Sequence, residues 1–290
     1  MVKKSYSWIK GANFAKSGVE AAFWDILAQK EKTSLWKLWS GKQQQFIVGV
    51  SIGGKTTDDV IKRAKNAVAA GYKRLKVKIW PGFDIKPIKQ LRKYFPKIML
   101  QVDANSAYSL NNWQVLKKLD GYNLLLIEQP LADDDIIDHS EISKFLKTPI
   151  CLDESIHSLA DVRRAILLWQ KNKILNKLII NIKPPRVSGF DEAIKIAKLC
   201  SKNKIKCWCG GMLETSWGKS FNLNFNSLKE VNLPGDHFSP AGEYFEKSIT
   251  KTKLFARNGI FKLKAKISGG LEIDWKTFSC LTKRKKEFNV

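Results

Sequence analysis

No stretch of 18 or more apolar residues occurs in the sequence, so nothing in it reads as a membrane span. The opening residues, MVKKSYSWIKG, lack the apolar core of a signal peptide. Cysteine is sparse and odd in number (Cys151, Cys200, Cys207, Cys209, Cys280), without CxxC spacing. That pattern argues against a disulfide framework and points to a reducing cytoplasm. Cys207 and Cys209 alternate within a short apolar run and read as packing. The three histidines, His139, His157 and His237, share no metal-ligand spacing and read as structural. Acidic residues are few, 27 against 51 Lys and Arg, which leaves a net charge of +24. The basic residues are nevertheless spread along the chain, with one dense cluster at 283–286 and no aromatic-interleaved basic motif. This is a lysine-rich solvated surface, with non-specific polyanion binding at low salt and no specific nucleic-acid partner.

What the chain does contain is a series of short apolar runs ending in charge. They are RLKVKIW (Arg74–Trp80), IMLQVDAN (Ile98–Asn105), LLLIEQP (Leu124–Pro130), PICLDES (Pro149–Ser155) and LIINIKP (Leu178–Pro184). Each has strand length and is bounded by Pro, Gly or polar residues. Four of them close on Asp103, Glu128, Asp153 and Lys183, and the first carries Lys76 and Lys78; the three carboxylates follow one another at intervals of 25 residues. That interval is the period of a strand–helix unit. Apolar strands alternating with amphipathic stretches imply a parallel sheet covered by helices. With 290 residues there is length for one α/β barrel of about 250 residues plus an appendage.

In a closed barrel all strand C-termini meet at one rim, where residues remote in sequence converge. Three carboxylates there are oxygen ligands for a hard divalent cation, Mg²⁺ or Mn²⁺. Period-two alternation puts Lys76, Lys78 and Trp80 on one face of their strand and Leu75, Val77 and Ile79 on the other. Both lysines are thus expected to point into the barrel. A second ammonium and a nearby metal disfavour the charged form of a lysine, so the KxK pattern is a means of making a base. Solvation of strand ends explains any one of these charges, but not five in register.

Elsewhere, residues 12–40 read as helical, with Phe14, Val19, Ala22, Phe23, Ile26 and Leu27 at three- and four-residue spacing and a second short helix ending at Gly41. Gln45–Val50 reads as a first strand, leading to a helix from about Asp58 to Ala70. Between them, Gly49 to Thr56 matches the phosphate-loop pattern GxxxxGK[ST], a nucleotide-binding alternative that leaves Lys78, Glu128 and Lys183 unexplained. Helices are expected over 112–119 and 161–170, and the acidic loop 133–135 reads as a solvated helix start. Ile205–Met212 is a strand ending in Gly210-Gly211, a rim loop where backbone approaches a ligand closely. Leu233-Pro-Gly-Asp236 marks the last barrel strand, and alternation after residue 250 reads as strands leaving the barrel.

The order KxK, Asp, Glu, Asp, Lys on successive strands resembles the enolase superfamily, muconate-lactonizing subgroup. The segments RLKVKIWPGFD, LQVDANSAY, IEQPL, CLDESI, NIKPPRVSGF, GGMLETSWG and LPGD are similar to the o-succinylbenzoate synthase / N-succinylamino acid racemase family, from about residue 11 to the end. The resemblance implies an α/β fold, an enolase-type (β/α)7β barrel over 45–240, with an incomplete α+β capping domain. Helices within 1–44 and the segment 241–290 would belong to that cap. It further implies Mg²⁺ on Asp103, Glu128 and Asp153, Lys78 as general base, and Lys183 opposite it as a stabilising cation. Lys76 would tune Lys78; Asn105, Gly210 and Met212 would line the substrate. The implied reaction is dehydration of a 2-succinyl-6-hydroxycyclohexadiene-1-carboxylate through an enediolate, a carbon–oxygen lyase step of menaquinone biosynthesis. The alternative within the family is N-succinylamino acid racemase or a related epimerase. The implied partner is a small carboxylate, with no membrane; a homo-oligomer is compatible.

Two departures from the family pattern stand out. The family reads KPGRVGG where this chain has Lys183-Pro-Pro185-Arg-Val-Ser188-Gly189, and the second proline stiffens that loop. The family also carries an N-terminal capping sheet ahead of the helices that begin here near Phe14. Its absence predicts a truncated or mis-started reading frame, exposed apolar surface and impaired activity. An inactive truncated barrel is therefore the third class of reading, beside enzyme and nucleotide binder.

Overall fold

The computed structural model describes residues 5–6, 8–236, 245–263 and 271–284. The chain enters through α1 (Asn13–Lys30), α2 (Leu35–Leu38), β1 (Gln45–Ile47) and β2 (Val50–Ile52). Helices and strands then alternate through α3 (Thr57–Ala69), β3 (Arg74–Lys78), α4 (Ile85–Tyr94) and β4 (Met99–Asp103). A 3₁₀ segment over Trp113–Tyr122 leads to β5 (Ile127–Glu128), α5 (Ile137–Ser143) and β6 (Ile150–Leu152). They are followed by α6 (Leu159–Lys171), β7 (Leu178–Ile182), α7 (Phe190–Lys202), β8 (Lys206–Cys209) and α8 (Ser216–Phe225). Last come β9 (Ile260–Lys262) and α9 (Trp275–Leu281).

Strands β2 to β8 form one parallel sheet in strict sequence order. Such a sheet is covered by its own crossover helices, which is why its strands are buried on both faces; all five residues of β7 are buried. The helices bury one stripe each. In α3 the stripe is Val60, Ile61, Ala64 and Ala67, and a reciprocal capping box between Thr56 and Asp59 starts the helix.

Leu233–Asp236, expected as the eighth strand, is not one. Asn232 and Leu233 donate to the Cys207 carbonyl, Asp236 to that of Cys209, and Gly49 to that of Gly235. This turn-like tract links the last strand to Val48–Gly49 and so closes the curled sheet without a ladder; its proline lacks the N–H that a central strand needs. The tract Gln45–Val50, expected as one strand, splits in two. β1 pairs antiparallel with β9, whereas β2 pairs parallel with β3. Val48 and Gly49 make the transfer, donating to Gly259 and Gly235 respectively. The expected helix over 112–119 is the 3₁₀ segment, tied down by the Asp120 carboxylate, which accepts from the Lys147 and Thr148 N–H groups. Of the alternating tract after residue 250, β9 is a strand and 264–270 lie outside the described residues.

Helix α1 turns its apolar stripe outward. Phe14, Val19, Phe23 and Ile26 are exposed, while Ser17, Glu20, Ala21 and Ala28 are buried against the barrel. Glu20 accepts from the Asp191 N–H at the start of α7, and Asn13 donates to the Arg186 carbonyl. The helix therefore grips the loop that follows β7 through polar groups.

Candidate active site

The strand order is what assembles the site. Carboxylate-bearing β4, β5 and β6 lie side by side, with lysine-bearing β3 and β7 flanking them. Register puts Lys78 beside Asp103, Asp103 beside Glu128, and Glu128 beside Cys151, two residues before Asp153. Lys183 follows the last residue of β7. Lys78 donates to Asp103 Oδ2 at 2.9 Å and also to Asn105 Oδ1. Lys183 donates to Asp153 Oδ2 at 2.7 Å, and Arg186 donates to the other oxygen of Asp153. The two lysines thus approach the carboxylate row from its two ends. Lys76, one pleat below Lys78, lies 3.1 Å from Asp103, 3.4 Å from Glu128 and 3.1 Å from Asp236.

Supporting groups fix these positions. Asn181 on β7 donates to Glu128 Oε1 at 2.8 Å. Gln129 accepts from the Asp153 N–H at 2.9 Å and donates to Ser155 Oγ at 2.6 Å, bracing the end of β5 against β6. Asn105 donates to Glu154 at 3.2 Å.

Burial and charge pull these groups in different directions. Burial opposes the Lys76 ammonium, but Glu128, Asp103, Asp236 and Asp153 outweigh it and hold its pKa well above the ordinary lysine value. Lys76 therefore stays charged. Burial, and then the Asp103 carboxylate, push Glu128 up to about 8. Asp153 is also buried, yet Lys183 and Arg186 hold it well below the usual carboxylate range. Asp103 is lowered too, because Lys76 and Lys78 overcome its burial.

Among the described residues no three acidic, Cys or His side chains are arranged as a ready-made ion site. Asp103 and Asp153 close instead on ammonium and guanidinium groups, the counterions that buried carboxylates need to stay ionised, while Glu128 accepts from the Asn181 amide. The donor set still fits a divalent cation. Asp103, Glu128 and Asp153 are at most 1% exposed, and Glu128 Oε2 has no hydrogen-bond donor. Three carboxyl groups on neighbouring strand ends are the ligand chemistry of a hard cation.

Not every residue expected at the site has the expected contacts. Gly210 packs under Asn181, where an added Cβ would lie 2.3 Å from Asn181 Oδ1, so its lack of a side chain serves that contact. Met212 donates its N–H to Glu214 at 2.7 Å. The phosphate-loop match does not form a phosphate cradle: Val50–Ile52 within it are spent on the ladder with β3, and Thr56 caps α3. His139 is a core residue, accepting from the Leu131 N–H at 3.0 Å, and His157 is exposed; His237 lies outside the described residues. Asp236, Asn181 and Arg186 belong to the site without having been singled out from the sequence. Asn181 shares a face with Lys183 by period two, which is a usable signal; Asp236 has none, since its segment is not a strand.

The model of the family described as Enolase C-terminal domain-like matches residues 59–277. The o-succinylbenzoate synthase of Bacillus subtilis (strain 168) is 42% identical over 273 residues, covering 94% of this chain and 72% of that protein. The N-succinylamino acid racemase of Thermus thermophilus is 36% identical over 273 residues, with 94% and 72% covered. A crystal structure of an enolase-superfamily member from Listeria innocua superimposes with a TM-score of 0.90 at 38% identity, covering 98% of this chain and 75% of that one. The chain belongs to the enolase superfamily and, within it, to the o-succinylbenzoate synthase / N-succinylamino acid racemase family.

Proposed function

We propose that the chain is an o-succinylbenzoate synthase, a Mg²⁺-dependent lyase that dehydrates a 2-succinyl-6-hydroxycyclohexadiene-1-carboxylate in menaquinone biosynthesis. The observation that carries this reading is the flanking of three buried carboxylates by two lysines, Lys78 on Asp103 and Lys183 on Asp153. Similarity to the Bacillus subtilis synthase supports the choice of reaction. Asp103, Glu128 and Asp153 would hold the cation, which supplies positive charge beside the substrate carboxylate and so acidifies the adjacent C–H.

Lys78 is the proton-transfer group. Its side chain is 39% exposed at the rim, and Asn105 and Asp103 orient it. It takes the α-proton and returns it to the departing hydroxide, so that one C–H and one C–O bond break and water leaves. Lys183, more deeply set, stabilises the charge that develops on the other side of the carbon. Arg186 shares Asp153 with Lys183 and fixes both. We read α1, α2 and the β1–β9 ladder as parts of a cap over this mouth; the hold of Asn13 on the Arg186 carbonyl supports that reading. The buried free thiols Cys151, Cys200, Cys207 and Cys209 suit a reducing cytoplasm.

The flanking lysines equally support proton removal on one face and return on the other, the racemisation named in the Thermus thermophilus relative. The purified 290-residue chain with Mg²⁺, offered the cyclohexadiene carboxylate and an N-succinylamino acid in parallel, separates the readings. Faster turnover of the former supports the synthase, faster turnover of the latter the racemase. Turnover of neither, with Mg²⁺ bound, contradicts both.

A further inference from the structure

Beneath the carboxylate row lies a second layer of buried charge that the proposed chemistry does not use. Asp236 Oδ2 is 3.1 Å from Lys76 and accepts from Ser51 Oγ at 3.0 Å; its other oxygen is 3.5 Å from Arg74 Nη1. Arg74 is fully buried and donates to the Pro234 carbonyl at 2.7 Å, on the same segment that carries Asp236. Lys76 and Arg74 both sit over the Trp208 ring, at 5.3 and 5.2 Å. Two glycines make room for this layer: a Cβ at Gly49 would fall 2.1 Å from Arg74 Nε, and one at Gly211 would fall 2.7 Å from the Asp236 carbonyl oxygen.

Lys76 thus lies within ion-pair reach of Asp103, Glu128 and Asp236 at once. It competes with any divalent cation for the first two. A cation that takes Asp103 and Glu128 leaves the buried ammonium in need of another anion, because an unpaired buried charge is strongly unfavourable. Asp236 is that anion: it is held by Ser51, the residue that Lys76 faces across the β2–β3 ladder.

We propose that Asp236 is a positioning residue for the cation site, anchoring Lys76 below the carboxylate row and so leaving Asp103 and Glu128 available to a divalent cation. The inference rests on the reading of Asp103, Glu128 and Asp153 as ligands. Removing the Asp236 charge leaves Lys76 only the two ligand carboxylates, which then hold it in place of the cation. A contribution near 1.4 kcal/mol corresponds to about tenfold in affinity.

The test is calorimetric titration of full-length protein with Mn²⁺ and with Mg²⁺, without substrate. Asp236→Asn is expected to weaken cation binding by about tenfold or more, and Lys76→Met to strengthen it. In the Lys76→Met background, Asp236→Asn is expected to change affinity by less than about twofold. If Asp236→Asn does not fold, Ser51→Ala, which loosens Asp236 without removing charge, takes its place and is expected to act in the same direction, again only while Lys76 is present. Unchanged affinity in the single variant overturns the proposal. So does an equal loss in the Lys76→Met background, which would make Asp236 a distant charge. Absence of binding to the unsubstituted protein would instead remove the ligand reading itself, and this inference with it.

Discussion

Gly189→Ala is the substitution for which the structure yields the most definite magnitude. Gly189 has φ of +125°, a conformation that costs a side-chain-bearing residue about 1–3 kcal/mol. An added Cβ would lie 1.3 Å from Glu20 Oε2 and 2.6 Å from its Cδ. Glu20 is buried and cannot swing aside without leaving the Asp191 N–H that it accepts at 3.0 Å. A hydrogen bond to a charged group contributes about 1.5–3 kcal/mol. Together these give a loss of about 2.5–6 kcal/mol, or roughly 4–10 °C in Tm for a chain of this size. Urea unfolding followed by circular dichroism measures it. The Glu20→Ala variant refines the reasoning, because it removes the clash but not the strain. The double variant should therefore be less destabilised than the sum of the singles. A Gly189→Ala loss below about 1 kcal/mol, or strict additivity with Glu20→Ala, would refute the argument.

Three further outcomes follow from the same structure. In metal-free protein the raised pKa of Glu128, about 8 against an ordinary 4.5, means that the folded state keeps a proton the unfolded chain has lost. Its contribution to stability accordingly falls as pH rises from about 4.5 to 8, and urea midpoints compared with Glu128→Gln should show a flatter profile for the variant; parallel profiles would contradict the assignment. Trp169→Ala, at a fully buried position on α6, should cost about 3–5 kcal/mol by the same unfolding assay, and a loss under about 1 kcal/mol would mean the helix does not pack as described. ATP should leave the Tm unchanged in both the unsubstituted chain and Lys55→Ala, since the matching segment is a strand and a helix cap; an ATP-dependent shift lost in Lys55→Ala would reinstate the phosphate loop.

How much of this was legible in the sequence depends on what each residue's position rests on. Asp103, Glu128 and Lys183 could be read because they end apolar runs of strand length, and a parallel sheet brings such ends together whatever the intervening helices do. Asp236 could not be read. It reaches Lys76 through a turn-like tract that closes the sheet, and a turn carries no alternation to say which way a carboxylate faces. Periodicity found the apolar stripe of α1 but not what the stripe meets, since a helical repeat fixes the relation of residues to one another only. Here the polar Glu20 faces inward and Phe14, Val19, Phe23 and Ile26 face out. The strand break at Val48–Gly49 was hidden because both halves are apolar and extended, and only their partners differ. The phosphate-loop match failed for a related reason: the pattern records residue types, whereas phosphate binding needs backbone amides that no ladder has claimed.

Lys78 and Lys183 sit at opposite ends of a carboxylate row, an arrangement suited to addressing one carbon from two sides. It is tested most directly by exchange of the substrate α-proton into D₂O, followed by NMR, with Mg²⁺ present and each enantiomer of an N-succinylamino acid supplied separately. The unsubstituted protein should exchange both enantiomers, Lys78→Ala should lose exchange of one, and Lys183→Ala should lose exchange of the other. If both variants lose the same enantiomer, or if exchange survives in both, the two lysines do not face each other across a shared site.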